Sequence, residues 1–251
     1  MQTSISAIIL TKNEEKNITE CLEQLSWCKE ILVIDDESTD NTVKLARKHG
    51  AKVYVRPLEG DFSEQRNFGI EKAQEEWIFF LDADERVSAA LADEIYQQTS
   101  QFLTSASGFT LKREDVMWGK KLLHGETGSI RLLRIAKKGK GSWKGHVHET
   151  WEIIGEVLPL QQPLLHYPHQ DVRNFLSEIN TYSTIRAHEI IAKKSSVTYL
   201  AIIVYPLSKF IINYLFRQGF RDGIPGIVHA LMMSFHSFLV RSKAWSLRQA
   251  K

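Results

Sequence analysis

The chain has 251 residues, 43% hydrophobic and 25% charged, which excludes a wholly disordered segment and suffices for one sizeable core or a core plus an appendage. The net charge is +2 but unevenly spread: residues 191–251 hold nine Lys or Arg against the acid Asp222, so this tail carries +8 and the preceding residues −6. An acidic body with a basic tail points to an anionic partner for the tail.

The first ninety residues alternate strand-like and helix-like patterns. Ile5–Leu10 is a short apolar run, read as a buried strand. Asn17–Leu25 places Ile18, Cys21, Leu22 and Leu25 at helical spacing. Glu30–Ile34 is a second strand. Asp40 is placed to cap a helix over Asn41–His49, with Gly50 where a helix C-terminal glycine belongs. Lys52–Val55, the helix Phe62–Ala73 and the apolar strand Trp77–Leu81 follow. Strands separated by helices imply parallel crossovers and an α/β sheet. Ligands of such sheets bind beyond the carboxyl ends of the strands, so the loops of interest are 11–16, 35–40, 56–66 and 82–86.

From Gly108 to His169 the pattern shifts to short strands, such as Gly108–Leu111 and Ile130–Ile135, between Gly-rich and Trp-bearing loops. This reads as the second half of the same domain. Asp171–Ala192 reads as a polar helical connector. Val197–Phe216 carries one charge, Lys209, and is interrupted by Pro206. Lys209, Asn213 and Arg217 recur every four residues on one side. Ile224–Val240 is a second apolar run with His229, His236, Ser237 and Arg241 on a stripe. Two amphipathic segments with basic flanks fit helices lying in a membrane interface better than helices crossing it. Packing as an internal helical bundle is the other reading. The tail is apolar between its charges, which suits lipid rather than nucleic acid. Cys21 and Cys28 make neither a Cys-x-x-Cys pair nor a disulfide framework and read as free thiols in a reducing compartment. The N-terminus shows neither a basic n-region nor a long apolar h-region, so a cytoplasmic start is expected.

The chemistry is carried by two acidic strand ends. One reads Val33-Ile34-Asp35-Asp36-Glu37-Ser38-Thr39-Asp40, the other Phe79-Phe80-Leu81-Asp82-Ala83-Asp84-Glu85. Carboxylates gathered at the tops of neighbouring strands repel one another unless a cation sits among them. A hard divalent ion with oxygen ligands does that, and it can also bridge a diphosphate. Asp40 is read as a helix cap rather than a ligand, and Asp35 as a loop cap.

The run from Ser6 to Glu85 resembles glycosyltransferase family 2, which has the GT-A fold. The matching pieces are Thr11-Lys12-Asn13-Glu14, Asp35 to Asp40, Ser63-Glu64-Gln65-Arg66-Asn67-Phe68-Gly69 and Leu81-Asp82-Ala83-Asp84. Arg131-Leu132-Leu133-Arg134, Gly145-His146-Val147-His148-Glu149 and Gly219-Phe220-Arg221-Asp222-Gly223 are similar to a narrower branch, the lipopolysaccharide-core β-1,4-glucosyltransferases. The resemblance implies a GT-A domain over residues 1–190, with a mixed, mostly parallel sheet, and a membrane-association tail of amphipathic helices over residues 191–251. It further implies an inverting transfer of one sugar, with UDP-glucose as donor and a lipid-linked saccharide such as the lipopolysaccharide inner core as acceptor. The cofactor would be Mg2+ or Mn2+, and the location the cytoplasmic face of the membrane, on an anionic surface, with no nucleic acid involved. By the same resemblance Asp36 accepts the N3–H of uracil, and Thr11, Asn13 and Glu14 line the nucleoside. Asp82 holds the ribose side, Asp84 ligates the metal and Arg66 contacts the nucleotide or its phosphates.

An inverting displacement needs a general base for the acceptor hydroxyl. Many relatives take it from a Glu-Asp pair well downstream of the Asp-x-Asp. Here the one Glu-Asp, Glu114-Asp115, lies early. Glu149, beside His146 and His148, is the preferred candidate, Asp115 or Glu114 the alternative, and His148 a further metal ligand. The Gln-x-x-Arg-Trp motif of processive synthases is missing, which implies a single transfer. Two competing readings remain: a zinc hydrolase built on His146, His148 and Glu149 with His166 and His169, and an inactive nucleotide-sugar-binding membrane scaffold. The Gly-rich turn of a dinucleotide-binding enzyme is missing after the first strand.

Overall fold

The computed structural model describes residues 3–100, 105–145, 149–168, 171–193 and 197–249, with side chains from residue 4 onward. They form two compact units. The first comprises residues up to 113 together with 131–166, and the second comprises residues 114–130 and those from 167 onward.

In the first unit, β1 (Thr3–Thr11), β2 (Cys28–Asp35), β3 (Lys52–Val55) and β4 (Trp77–Asp82) alternate with α1 (Ile18–Glu23), α2 (Thr42–Lys48) and α3 (Phe62–Lys72). The four strands pair in parallel in the order β3-β2-β1-β4. Ile5, Ala7, Ile8 and Ile9 are all fully buried, because helices cover both faces of a parallel sheet and leave no wet side. The period-2 alternation of strands divides them between two cores. Ile5, Ala7, Ile9, Val33, Phe79 and Leu81 lie in one, and Ile8, Leu32, Ile34, Ile78 and Phe80 in the other. Gly69 of α3 lies so close to β1 that a Cβ there would sit 2.8 Å from Ile8 Cγ2.

β5 (Glu85–Arg86) and α4 (Ala89–Ser100) follow, and then β6 (Ala106–Met117), which runs on into the second unit. After β7 (Lys120–Leu122) come β8 (Arg131–Lys137), β9 (Gly141–Lys144), β10 (Thr150–Ile153), β11 (Glu156–Pro159) and β12 (Leu164–His166). β8 joins β4 antiparallel, with Phe79 opposite Ile135, and extends the sheet to β6, β12 and β5. β9 and β10 form a separate hairpin, with Trp143 opposite Trp151. The sheet is therefore mixed: β3-β2-β1-β4 are parallel, β8 is antiparallel to β4 and β6, and β11 pairs with β6 in parallel. This is the α/β class expected, with one helix, α4, and the length of β6 beyond the expected elements.

Local capping follows the sequence only in part. Gly50 ends α2 at φ +82°, a left-handed conformation that glycine adopts without a Cβ penalty. Asp40 accepts the Thr42 N–H at 2.9 Å and the Glu15 N–H at 3.1 Å, while Asn41 is the residue at the helix boundary. Asp61 caps α3 through the Glu64 N–H at 3.0 Å. Cys28 opens β2. Both cysteines are free and buried, and burial pushes the Cys21 thiol up to about 12.

The second unit holds the end of β6, β7, and the helices α5 (Val172–Ala192), α6 (Tyr199–Ile211) and α7 (Gly223–Gln249). α6 runs into a π-helical turn, Ile212–Phe216, and a 3₁₀ turn, Gly219–Asp222, precedes α7. Phe175, Ile179, Met232, Met117 and Leu122 share a core. Lys243 of α7 donates to the Asn180 carbonyl at 2.6 Å and to Ser183 Oγ at 2.8 Å on α5. Asp222 is buried and accepts the His124 N–H at 2.9 Å. In this unit α5 and residues 114–130 pack with the tail helices. The reason is that the stripe Phe175, Ile179, Ser183 and Ala187 recurs every fourth residue and must be covered, and α7 covers it. Two helical segments, Tyr199–Phe216 and Gly219–Gln249, are long and apolar enough to cross a bilayer.

Candidate active site

The register of the parallel strands fixes the site. Thr11 lies opposite Asp35, and Leu10 opposite Asp82, so the ends of β2, β1 and β4 form one continuous edge. Asp35 and Asp82 are two strand positions apart, roughly 10 Å at ordinary strand spacing.

On the β1–β2 side, the expected nucleoside-binding residues stitch two loops together. Thr11 Oγ1 donates to Asp35 Oδ1 at 3.0 Å, and Asp35 also accepts the Ser38 N–H at 2.8 Å. Asn13, at φ +57°, donates its backbone N–H to Ser38 Oγ at 2.8 Å, and its Oδ1 accepts the Thr39 N–H at 2.8 Å. The Glu14 N–H reaches Thr42 Oγ1 at 2.7 Å, and Glu14 Oε2 accepts from Asn17 at 2.8 Å. Asp36 is buried; its Oδ1 accepts the Leu58 N–H at 2.8 Å and its Oδ2 accepts from Lys12 Nζ at 2.6 Å. That hydrogen bond raises the Lys12 ammonium above its usual value. Asp35 is thus a loop organiser, as expected, and Asp36 is anchored by one oxygen with the other held at an exposed lysine.

On the β4 side, three acids and two arginines interlock. Arg134 Nη2 of β8 donates to Asp82 Oδ2 at 2.6 Å and to Glu85 Oε1 at 2.7 Å. Glu85 is fully buried, and its other oxygen accepts the Asp82 N–H at 3.0 Å. Arg66 Nη2 stands 3.6 Å from Asp82 Oδ1 and its Nε 3.4 Å from Glu149 Oε1. Its guanidinium lies over the Trp143 ring at 4.5 Å, a geometry suited to cation–π attraction. Arg66 is 7% exposed, and its Nε and Nη1 have no hydrogen-bond partner among the described residues. Buried donors of this kind are costly unless a ligand meets them. Asp84 Oδ2 is 3.2 Å from His166 Nε2, because β12 runs antiparallel to β5 with His166 opposite Glu85.

The electrostatics follow from this packing. Burial works to raise the Asp82 carboxyl, but Arg134 and Arg66 outweigh it and hold it well below the usual carboxylate range. Burial pushes the Glu85 carboxyl up, and Arg134 offsets this only in part. Burial tends to lower the Arg134 guanidinium, yet Asp82 and Glu85 raise it, so it stays charged. Arg134→Met leaves Glu85 buried without its cation. We expect a loss of about 3–5 kcal/mol and a melting temperature lower by about 10 °C, read by thermal unfolding at neutral pH. Adding Glu85→Gln should recover part of it. An unchanged melting temperature in Arg134→Met would show that the network contributes nothing to stability.

Asp82, Arg66 and Glu149 are therefore brought together, Asp84 pairs with His166 on the loop that follows Asp82, and Thr11, Asn13, Glu14 and Asp36 lie along the adjoining strand ends. Asp115 belongs to the second unit, buried opposite Leu122 of β7, with Glu114 paired to Lys121 at 3.0 Å. His148, expected as a metal ligand, and His146 and His169 of the zinc reading lie outside the described residues. Among the described residues no three or more His, Cys, Asp or Glu side chains converge as a ready-made metal cage. Asp84 with His166 offers one carboxylate and one imidazole. That pair fits a divalent ion whose remaining ligands come from diphosphate and water. Arg134 and Glu85 carry no role in the sequence reading, and His166 enters it only as a ligand of the zinc alternative. For Arg134 the signal was present: a lone cation inside the apolar strand Leu132-Leu133-Arg134-Ile135-Ala136 needs a buried partner.

The sequence profile of the family described as Glycosyl transferase family 2 matches residues 6–154. A lipopolysaccharide core biosynthesis glycosyltransferase, LpsC of Rhizobium meliloti (strain 1021), is 27% identical over 256 residues, covering 98% of this chain and 94% of the relative. An uncharacterized glycosyltransferase of Rickettsia typhi, RT0209, is 26% identical over 95% of this chain and 86% of its own length. Among solved structures, residues 1–349 of S. aureus TarS in complex with UDP-GlcNAc align with 100% of this chain and 93% of that one, at 15% identity and a TM-score of 0.48.

Proposed function

The chain belongs to glycosyl transferase family 2 and is a glycosyltransferase, and from that premise we propose that it transfers one sugar, with inversion, from a UDP-sugar to a lipid-linked saccharide at the cytoplasmic membrane face. The observation that carries this reading is the Asp82–Arg66–Glu149 chain beyond the ends of β1 and β4, with the Asp84–His166 pair two residues further along the same strand-end loop. UDP-glucose is the donor implied by the branch resemblance, and the acceptor class is supported by the similarity to the Rhizobium lipopolysaccharide core biosynthesis glycosyltransferase.

Each residue has a task. Asp36, anchored by the Leu58 N–H, offers its lysine-facing oxygen to the base. Asp82, kept ionised by Arg134, faces the ribose side. Arg66 offers its Nη1 to ligand oxygens and turns its Nε toward Glu149. Glu149 takes the proton of the acceptor hydroxyl as that oxygen attacks the anomeric carbon. Asp84 and His166 would hold a divalent ion, Mn2+ or Mg2+. When bound, it stabilises the charge on the departing diphosphate.

The test is a panel of nucleotide sugars incubated with the protein and divalent metal, with UDP release as the readout. We expect metal-dependent release from one UDP-sugar, stimulated by a lipid-linked saccharide. Nucleotide binding without turnover would instead favour the inactive scaffold. Stoichiometric zinc with indifference to nucleotide sugars would favour the hydrolase.

A further inference from the structure

The second unit contains a cavity of about 410 Å³ among α5, the α6 region and α7, lined by Arg186, Lys193, Lys209 and Arg241 with Glu189, Tyr205, Ile212 and His236. Four cations thus face one lining acid. Two are partly neutralised: Arg186 lies 2.6 Å from Glu189, and Lys209 2.7 Å from Glu126. Arg241 stacks its guanidinium over the Tyr205 ring at 3.8 Å and donates to Ser237 Oγ at 2.8 Å, so it is fixed in place. Burial, followed by the field of Lys209, lowers the His236 imidazole below its usual value. The cavity is therefore positive even though its histidine is held toward the neutral form.

Its wall is also amphipathic. Tyr205 and Ile212, which line the cavity, are 55% and 44% exposed, and they continue into Tyr199, Leu200, Val204 and Leu207, all at least half exposed. A free phosphate needs cations but no apolar rim. A phosphate attached to acyl chains uses both. We propose that this cavity is a headgroup site for an anionic phospholipid of the membrane surface, with the exposed face of α6 in the acyl boundary. The proposal rests on the reading of the tail helices as interfacial and names the partner they meet.

The experiment is flotation of the full-length protein with vesicles of phosphatidylcholine alone, and with about one third phosphatidylglycerol. Arg186→Gln/Lys193→Gln removes two lining charges, one on α5 and one at its C-terminal cap. At about fivefold per surface cation, partitioning onto the anionic vesicles should fall about 20- to 30-fold, with binding to neutral vesicles and the melting temperature unchanged. The charge-matched Lys44→Gln/Lys48→Gln, on α2 of the first unit, should bind like wild type. Equal losses in both double variants, or none in the first, would overturn the headgroup site. So would saturable binding of inorganic phosphate, measured calorimetrically without lipid and lost in Arg186→Gln/Lys193→Gln while vesicle partitioning is unchanged. Leu207→Glu/Phe216→Glu should lose binding to both vesicle types. If it does not, or if wild type binds neither, the interfacial reading itself fails.

Discussion

Glu149→Gln should lower the turnover number for sugar transfer by about 10²–10⁴-fold, the range that a positioned general base supplies. The substitution keeps the shape and hydrogen-bonding reach of the side chain and removes its ability to take a proton. Glu149 lies against Arg66 at 3.4 Å, and Arg66 in turn faces Asp82. The base candidate is thereby tied to the strand end where the diphosphate is expected. UDP affinity should change by no more than about twofold, since the loss belongs to the transition state rather than to ground-state binding. Steady-state transfer assays with parallel UDP titrations separate the two. Transfer within about tenfold of wild type would remove Glu149 from the role. If Asp115→Asn then lost transfer without loss of stability, the assignment would pass to Asp115.

Asp84→Ala should cost about 10²–10³-fold in transfer, the scale seen when one stabiliser of developing charge is removed. It should also abolish the metal dependence of UDP binding. The reason is local. Asp82 is committed to Arg134 and Arg66, and Glu85 is sealed in the interior with Arg134. Asp84 is the acid of the Asp-x-Asp that faces an imidazole, His166 at 3.2 Å. Because Asp84 takes no part in the Arg134 network, the melting temperature should move by less than about 3 °C, the equivalent of about 1 kcal/mol in a chain of this size. UDP titrations with and without Mn2+, alongside single-turnover transfer, give the answer. Wild-type turnover in Asp84→Ala would refute the metal role.

Several features of the protein were written in its sequence, for physical reasons that act locally. A strand covered on both faces must be apolar without interruption, so β1, β2 and β4 stand out as runs of Ile, Val, Leu and Phe. Acids that break off such a run mark a strand end, which is why the Asp35–Asp36 and Asp82–Asp84 segments mark the ligand edge in the sequence itself. Gly50 signals the end of α2 because few other residues take its backbone conformation. α4 was not legible, since Leu91 and Ile95 are its only buried residues and give little periodic signal.

What only the tertiary structure decided is which charges meet. Arg134 reaches Asp82 and Glu85 through the antiparallel placement of β8 beside β4. His166 reaches Asp84 through the pairing of β12 with β5. α5 joined the tail helices because α7 covers its buried stripe. Each of these depends on strand register or helix contact between segments far apart in the chain. Local propensity and periodicity record how one segment is buried, whereas the identity of its partner is set by the packing of the whole unit.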